Sequence, residues 1–316
     1  MKRKDAKEIF DIPSYNKIFP FMMPKRCESL VFQPMNFEVT NTVNYVREYN
    51  KEHPDNGRIK IFYVFIAALM RTFAEREKLN SFISAKRYWL RNELSVNFVV
   101  KETFKDDSPE HSNSLIFNKN MTLSEYCKII DDNINNARSG EEDLATDKAI
   151  NFFLQFPFWV INAIVKSLDR RDKRGRAPKW LSEADGLHTS AFISNLGSIG
   201  LEGGLAHHLY EWGTTSCFIT LGTLTRKKIY NKKTEKTEFK YYMNAGITLD
   251  ERIADGFYFV KSFSVLQNYL SFPELLEQPP QNLPAPLLTK KQWKKKRKIE
   301  IKAKELKQKE LKIQNN

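Results

Sequence analysis

Cysteine is scarce: three in 316 residues, at Cys27, Cys127 and Cys217. An odd, scattered set of this kind builds no disulfide framework and no C-x-x-C metal site, and it favours a reducing cytoplasm. Glycine is low as well, at 12 residues. No G-x-G-x-x-G and no G-x-x-x-x-G-K-[ST] occurs, so the phosphate-cradling loops of dinucleotide and NTP binders are absent. No apolar run has the roughly 20 residues that a membrane-spanning helix needs. The uncharged stretch from Ala149 to Val165 is broken by Asn151, Gln155, Pro157 and Asn162. It reads as a buried or interface helix, with a membrane-surface contact as the alternative. The first residues, M-K-R-K-D-A-K-E-I-F-D-I-P, carry charge with no apolar run behind it, so they are no signal peptide. No internal repeat is visible.

What is present is enough for a core. Hydrophobic residues make up 41% and aromatics 13%, with 23 Phe, which excludes wholesale disorder. The length suits one large domain or two small ones. The net charge of +13 is unevenly spread: residues 290–316 hold 11 Lys and Arg297 against Glu300, Glu305 and Glu310, or +9, leaving +4 for the rest. The body is therefore close to balanced and gives no sign of a specific nucleic-acid binder. The tail places Ile299, Ala303, Leu306 and Ile313 on roughly one helical face. It reads as a solvated helix or disordered tail, with contact to an anionic surface as the alternative.

The pattern divides the chain into an N-terminal wrapping segment over 1–36, a domain over 37–278, and a proline-containing linker with the basic tail over 279–316. Thr40 is expected to cap a helix to about Asn50. Phe62, Ile66, Leu69 and Phe73 form the apolar stripe of a helix over Lys60–Lys78, with Arg71, Glu75 and Lys78 off it. Phe82–Leu90 and Leu94–Val100 read as strands. Thr122-Leu-Ser-Glu125 is a capping box opening a helix to about Asn136. Residues 168–186 read as a charged connector. Thr189–Leu196, Ser216–Gly222 and Phe239–Leu249 read as strands, the last two joined by a hairpin-like excursion. Asp255 is expected to cap a helix carrying Phe259, Phe263, Leu266 and Leu270. Helices and strands in this mixed order predict an α+β, two-layer sandwich: a mixed sheet with helices on one face.

Two segments carry chemistry. One holds Phe192-Ile193-Ser194-Asn195-Leu196-Gly197. The other holds Asp250-Glu251-Arg252-Ile253-Ala254-Asp255-Gly256, followed by an amphipathic helix and Phe272-Pro273-Glu274-Leu275-Leu276. In this order they resemble the signature regions of the chloramphenicol acetyltransferase-like fold, shared by the catalytic domain of the dihydrolipoyl acyltransferases of 2-oxo acid dehydrogenase complexes. The resemblance spans about residues 15–277. It implies a CoA-dependent acyltransferase that moves an acyl group between CoA and a thiol or hydroxyl acceptor. It also implies a homotrimer or larger assembly, with active sites between subunits. By the same resemblance Ser194 is the oxyanion-stabilising hydroxyl, Asp255 and Gly256 hold the catalytic loop, and Asn195, Gly197 and Gly256 line the CoA side.

The family's catalytic histidine is replaced by Glu251. An exposed glutamate, with a pKa of about 4.3, is a weak base at neutral pH, and burial would raise it while pairing with Arg252 would not. Three readings stand: Glu251 is a base with a raised pKa; it is a structural carboxylate in a relative retained as a scaffold or CoA-type ligand binder; or His208, in the His207-His208 pair, is a replacement base. The pair also reads as interface or loop histidines, and His188 as packing. Asp147-Lys148-Ala149 is similar to a lipoylation tripeptide, but it leads into an apolar helix instead of a hairpin tip, so no covalent lipoate is expected. No metal is expected either. Ser198–Gly204 is glycine-rich and reads as a turn sooner than as a phosphate loop.

Overall fold

The computed structural model describes residues 3–54, 58–101, 110–139, 154–178, 186–232, 234–285 and 287–314. Asp147, Lys148 and the first part of the Ala149–Val165 stretch lie outside the described residues. The helices are α1 (Phe19–Met22), α2 (Thr40–Glu52), α3 (Ile61–Glu75), α4 (Leu123–Ser139), α5 (Phe158–Lys173), α6 (Gly256–Ser271) and α7 (Lys290–Gln314). The strands are β1 (Ala6–Glu8), β2 (Leu30–Glu38), β3 (Ser81–Ser84), β4 (Arg87–Arg91), β5 (Leu94–Lys101), β6 (Glu110–Phe117), β7 (Ala191–Asn195), β8 (Cys217–Asn231) and β9 (Lys236–Asp250).

Six strands form one mixed sheet in the order β2-β9-β8-β7-β5-β6, parallel only where β7 meets β5 and β8. A second sheet, β1-β4-β3, sits beside it. Alternation along each strand sends one set of side chains toward the helices. Ala191 and Ile193 on β7, Ile219 and Leu221 on β8, and Ala245, Ile247 and Leu249 on β9 all join the main core with α2, α3, α4 and α6. This is the α+β sheet-and-helix sandwich that the sequence predicts.

α3 is buried from Tyr63 to Ala74, so it carries no free polar face. Arg71 lies off the apolar stripe and is buried all the same. It is only 1% exposed and donates from Nη2 to the Met121 carbonyl at 2.7 Å, which satisfies part of a buried guanidinium. The Glu125 half of the capping box is formed: the Thr122 backbone N–H and hydroxyl both donate to Glu125 Oε2, at 2.7 and 2.8 Å. Thr40 does not cap α2; its hydroxyl accepts from the Tyr241 backbone N–H at 3.0 Å. The predicted strand Phe82–Leu90 is instead the β3–β4 hairpin. Ala85 and Lys86 turn with φ of +48° and +59°, a two-residue turn made without glycine. β8 and β9 are longer than predicted, each 15 residues, because their hairpin pairing continues beyond the core. The predicted connector 168–186 begins as helix, with α5 running to Lys173. The apolar end of α5 is not buried within the chain: Phe158 is 88% and Trp159 74% exposed. Among the described residues no helix is long and apolar enough to cross a membrane.

Candidate functional site

The face of the six-stranded sheet away from the helices carries Phe192 and Ser194 on β7, Phe218 and Thr220 on β8, and Gly246, Thr248 and Asp250 on β9. Ser194 pairs in register with Thr220, and Thr220 with Gly246. The segment from Leu196 to Gly213 runs back over β8 and β9 on this face. Gly197 and Gly203 serve that close approach. A side chain on Gly197 would meet the Gly222 carbonyl, and one on Gly222 would meet Glu202 and Gly203. Gly197 is thus required by backbone packing, as is Gly203, which meets Gly222, whereas Gly200 and Gly204 have space for a side chain and are suited instead to their left-handed φ of +87° and +77°. Thr220 Oγ1 donates to the Leu205 carbonyl and ties the segment down.

Arg26 clamps the end of the segment. Its guanidinium donates to the carbonyls of Tyr210 (2.5 Å), Trp212 (3.4 Å) and Gly213 (3.0 Å), while the Cys27 N–H donates to Glu211 at 2.7 Å. Burial pulls the Arg26 guanidinium below its ordinary value, and the charge of Asp250 offsets only part of that.

His207 lies flat on Phe218, with ring centroids 3.9 Å apart and planes 9° apart, and Phe218 stacks in turn on Phe192 at 4.8 Å. His207 Nδ1 is 2.7 Å from the His208 carbonyl. A carbonyl only accepts, so Nδ1 carries the hydrogen and Nε2 of the neutral ring is left as the basic nitrogen. His208 is exposed and meets Tyr210 edge-on at 4.8 Å. Of the pair, His207 is the ring that is stacked and held at Nδ1, and Phe218 at the start of the following strand is what it stacks on.

The second motif divides into a buried part and an exposed part. Asp250 is fully buried and accepts from Arg252 Nε (2.8 Å) and Nη2 (2.6 Å), from the Arg252 backbone N–H (3.1 Å) and from Ser29 Oγ (3.0 Å). Arg252 therefore pairs with Asp250 and not with its other neighbour, Glu251. Glu251 is exposed, and its backbone N–H donates to the Ser29 carbonyl at 2.9 Å. Within one chain nothing buries its carboxylate. Asp255 is the N-cap of α6, accepting from the Tyr258 N–H at 2.8 Å. Gly256 opens that helix with free space where a side chain would stand. Asn195 and Gly197 are half-buried at the end of β7.

One chain does not bring Ser194 and Glu251 together. From Gly246, two strands over from Ser194, four residues lead to Asp250, so the ends of the two motifs lie roughly 17 Å apart. His207 is closer to the serine: its ring rests on Phe218, two residues, or roughly 7 Å, along β8 from the partner of Ser194. His188 is elsewhere, buried at the head of β7, with Nε2 3.2 Å from Asp172.

No protein-family model and no curated protein matches the sequence. Solved structures do match the fold. The probable dihydrolipoamide acetyltransferase of Listeria monocytogenes aligns at a TM-score of 0.54 and 12% identity, over 89% of this chain and 99% of its own. The cubic core of a pyruvate dehydrogenase multienzyme complex aligns at 0.52 and 11%, over 85% and 94%. A truncated catalytic core of the 2-oxoacid dehydrogenase complex of Thermoplasma acidophilum aligns at 0.52 and 13%, over 84% and 99%. At these identities the likeness is one of fold: the chain is built on the same chloramphenicol acetyltransferase-like α+β frame as dihydrolipoamide acyltransferase cores.

Proposed function

We propose that the chain is a CoA-dependent acyltransferase of the 2-oxo acid dehydrogenase acyltransferase type, passing an acyl group between CoA and a thiol or hydroxyl acceptor. The observation that carries this reading is Ser194, in F-I-S-N-L-G at the end of β7, on the sheet face that also bears the Nδ1-anchored imidazole of His207. In the reaction a base takes the proton of the acceptor, which attacks the thioester carbonyl. The Ser194 hydroxyl donates to the oxyanion that forms. Collapse breaks the carbon–sulfur bond and the CoA thiolate leaves, taking up a proton from the protonated base.

Two groups compete as base. Glu251 fills the position of the family's histidine but lies roughly 17 Å from Ser194 in one chain, so a site using both must be assembled from two copies. That requirement supports a homotrimer or larger assembly. The His207-His208 pair offers an imidazole, and His207 is the ring held with Nε2 free. We also propose a reducing cytoplasmic setting for its free thiols. A second reading, a non-catalytic scaffold or CoA-type ligand binder, is favoured by the Asp250–Arg252 pair. That pair keeps the second motif folded with no contribution from the Glu251 side chain.

The test is calorimetric titration with CoA alongside the pH–rate profile of acyl-CoA thiol release for wild type, Glu251→Gln, His207→Ala and His208→Ala. Loss of the base removes about 10²–10⁴-fold in rate. A transferase loses that much in one of these variants while still binding CoA. CoA binding with no turnover on any acyl donor supports the scaffold reading, and neither binding nor turnover refutes the CoA assignment.

A further inference from the structure

Exposed apolar side chains and basic side chains occur together on α5 and on α7. α5 begins with Phe158 and Trp159 exposed, preceded by exposed Leu154 and followed by exposed Val165. The same helix and its exit carry Lys166, Arg170, Arg171, Lys173, Arg174 and Arg176. α7 holds the +9 tail, with Ile299, Ile301 and Leu306 exposed among its lysines.

Contacts join the two helices through the N-terminal segment. At the exit of α5, Arg3 binds Asp172 and the Ser84 hydroxyl donates to the Lys173 carbonyl. In the β3–β4 turn beside Ser84, Lys86 lies 4.8 Å over the ring of Phe21. At the start of α7, Trp293 meets Phe10 at 6.1 Å and Lys17 at 5.3 Å, and Lys296 pairs with Asp11. Between these anchors Tyr15, Ile18, Phe21 and Met22 are exposed. The N-terminal segment with these exposed side chains thus lies between the exit of α5 and the start of α7.

We infer that this surface docks on an anionic phospholipid bilayer, with Phe158 and Trp159 entering the headgroup–acyl boundary and the lysines of α7 lying against the headgroups. The chemistry separates this occupant from a second protein copy. Cores of protein–protein interfaces are depleted of charge and of lysine, whereas α5 and α7 carry lysines and arginines on the same helices as their exposed apolar groups. Interfacial helices combine Trp, Phe and Leu with Lys and Arg, whose long stems lie along apolar surface while the heads reach phosphate. The body is nearly balanced and the excess charge is concentrated here, which matches the negative potential of an anionic leaflet. The inference does not depend on the acyltransferase reading.

The test is co-sedimentation of the full chain with phosphatidylcholine vesicles, with and without phosphatidylglycerol, at low and high salt. Light scattering of the same samples gives the molar mass. Wild type is expected to bind only the phosphatidylglycerol vesicles, and more weakly at high salt. The triple variant Lys294→Gln/Lys295→Gln/Lys298→Gln is expected to lose roughly two orders of magnitude in partitioning, at about fivefold per charge. Phe158→Ser/Trp159→Ser is expected to lose at least roughly tenfold. All five positions are exposed, so melting curves of the variants should overlay wild type. The inference is overturned if wild type ignores anionic vesicles at low salt, or if the variants bind vesicles like wild type. It is equally overturned if Phe158→Ser/Trp159→Ser lowers the molar mass and leaves vesicle binding intact, which makes the face a chain–chain contact. Binding to duplex DNA in the absence of vesicle binding assigns the charge to nucleic acid instead.

Discussion

The second motif puts two carboxylates side by side in sequence and in opposite environments, and that contrast gives the sharpest prediction. Asp250 is fully buried, and both its oxygens are engaged by Arg252 at 2.8 and 2.6 Å, with Ser29 and the Arg252 backbone completing its contacts. Asp250→Asn keeps the volume but removes the charge, leaving a guanidinium whose side chain is only 3% exposed without its counter-ion. Breaking a buried pair from one side costs about 3–5 kcal/mol. At about 2 °C per kcal/mol for a chain of this size, the melting temperature should fall by roughly 6–10 °C. Glu251→Gln alters an exposed side chain whose residue is tied to the fold through its backbone N–H. Its cost should stay within about 0.5 kcal/mol, or roughly 1 °C. The assay is thermal and urea unfolding of both variants at one protein concentration. A Glu251→Gln protein as unstable as Asp250→Asn would refute the assignment of the structural role to Asp250. An Asp250→Asn protein that melts with wild type would refute the energetic argument.

Three further outcomes follow from the packing. Gly222→Ala should lower stability by about 1–3 kcal/mol by driving Glu202 and Gly203 off the sheet, whereas Gly256→Ala should leave the melt unchanged or slightly raised, since its side chain has open space at the start of a helix. Burial pushes the Cys127 and Cys217 thiols up to about 12, and Glu211 raises that of exposed Cys27. A chromogenic disulfide reagent at neutral pH should therefore titrate one thiol slowly in the native protein and all three in denaturant; three fast thiols in the native state would contradict the burial. Burial alone would lift the Asp172 carboxyl, but the hydrogen bond and charge of His188, followed by Arg3, outweigh it and hold it below its usual 3.8. Its folded value is depressed, so its stabilisation is present above that usual value and is lost as pH falls through the lower folded value. Asp172→Asn should flatten the loss of stability in acid; an unchanged acid limb would exclude this pair as a contributor.

The elements that rest on local chemistry were legible from residues alone. The Thr122–Glu125 pair and the Asp255 cap declare themselves within four residues, and both make contact at the start of their helices. The F-I-S-N-L-G strand and the α6 stripe are equally local, and both motifs fall on the expected frame. What escaped reading is long-range. The partner of Arg252 could not be chosen between two adjacent carboxylates until Ser29, 221 residues from Asp250, had been brought beside it. Arg71 looks like a surface residue on a helical wheel, but α3 is enclosed on all sides and a carbonyl 50 residues away receives it. The Ala85-Lys86 turn lacks the glycine or asparagine that would have announced it. That His207 and not His208 is the stacked ring held at Nδ1 depends on a ring in the next strand and on which carbonyl lies in reach, and neither shows in spacing.

The central claim is that Ser194 serves acyl transfer from CoA. The most direct measurement is the release of free thiol from acetyl-CoA and longer acyl-CoAs by purified wild-type protein and by Ser194→Ala, in the presence of thiol and hydroxyl acceptors. Loss of one oxyanion donor should lower the rate by about 10²–10³-fold, with CoA binding and melting temperature unchanged. A Ser194→Ala protein that turns over acyl-CoA at the wild-type rate would contradict the account.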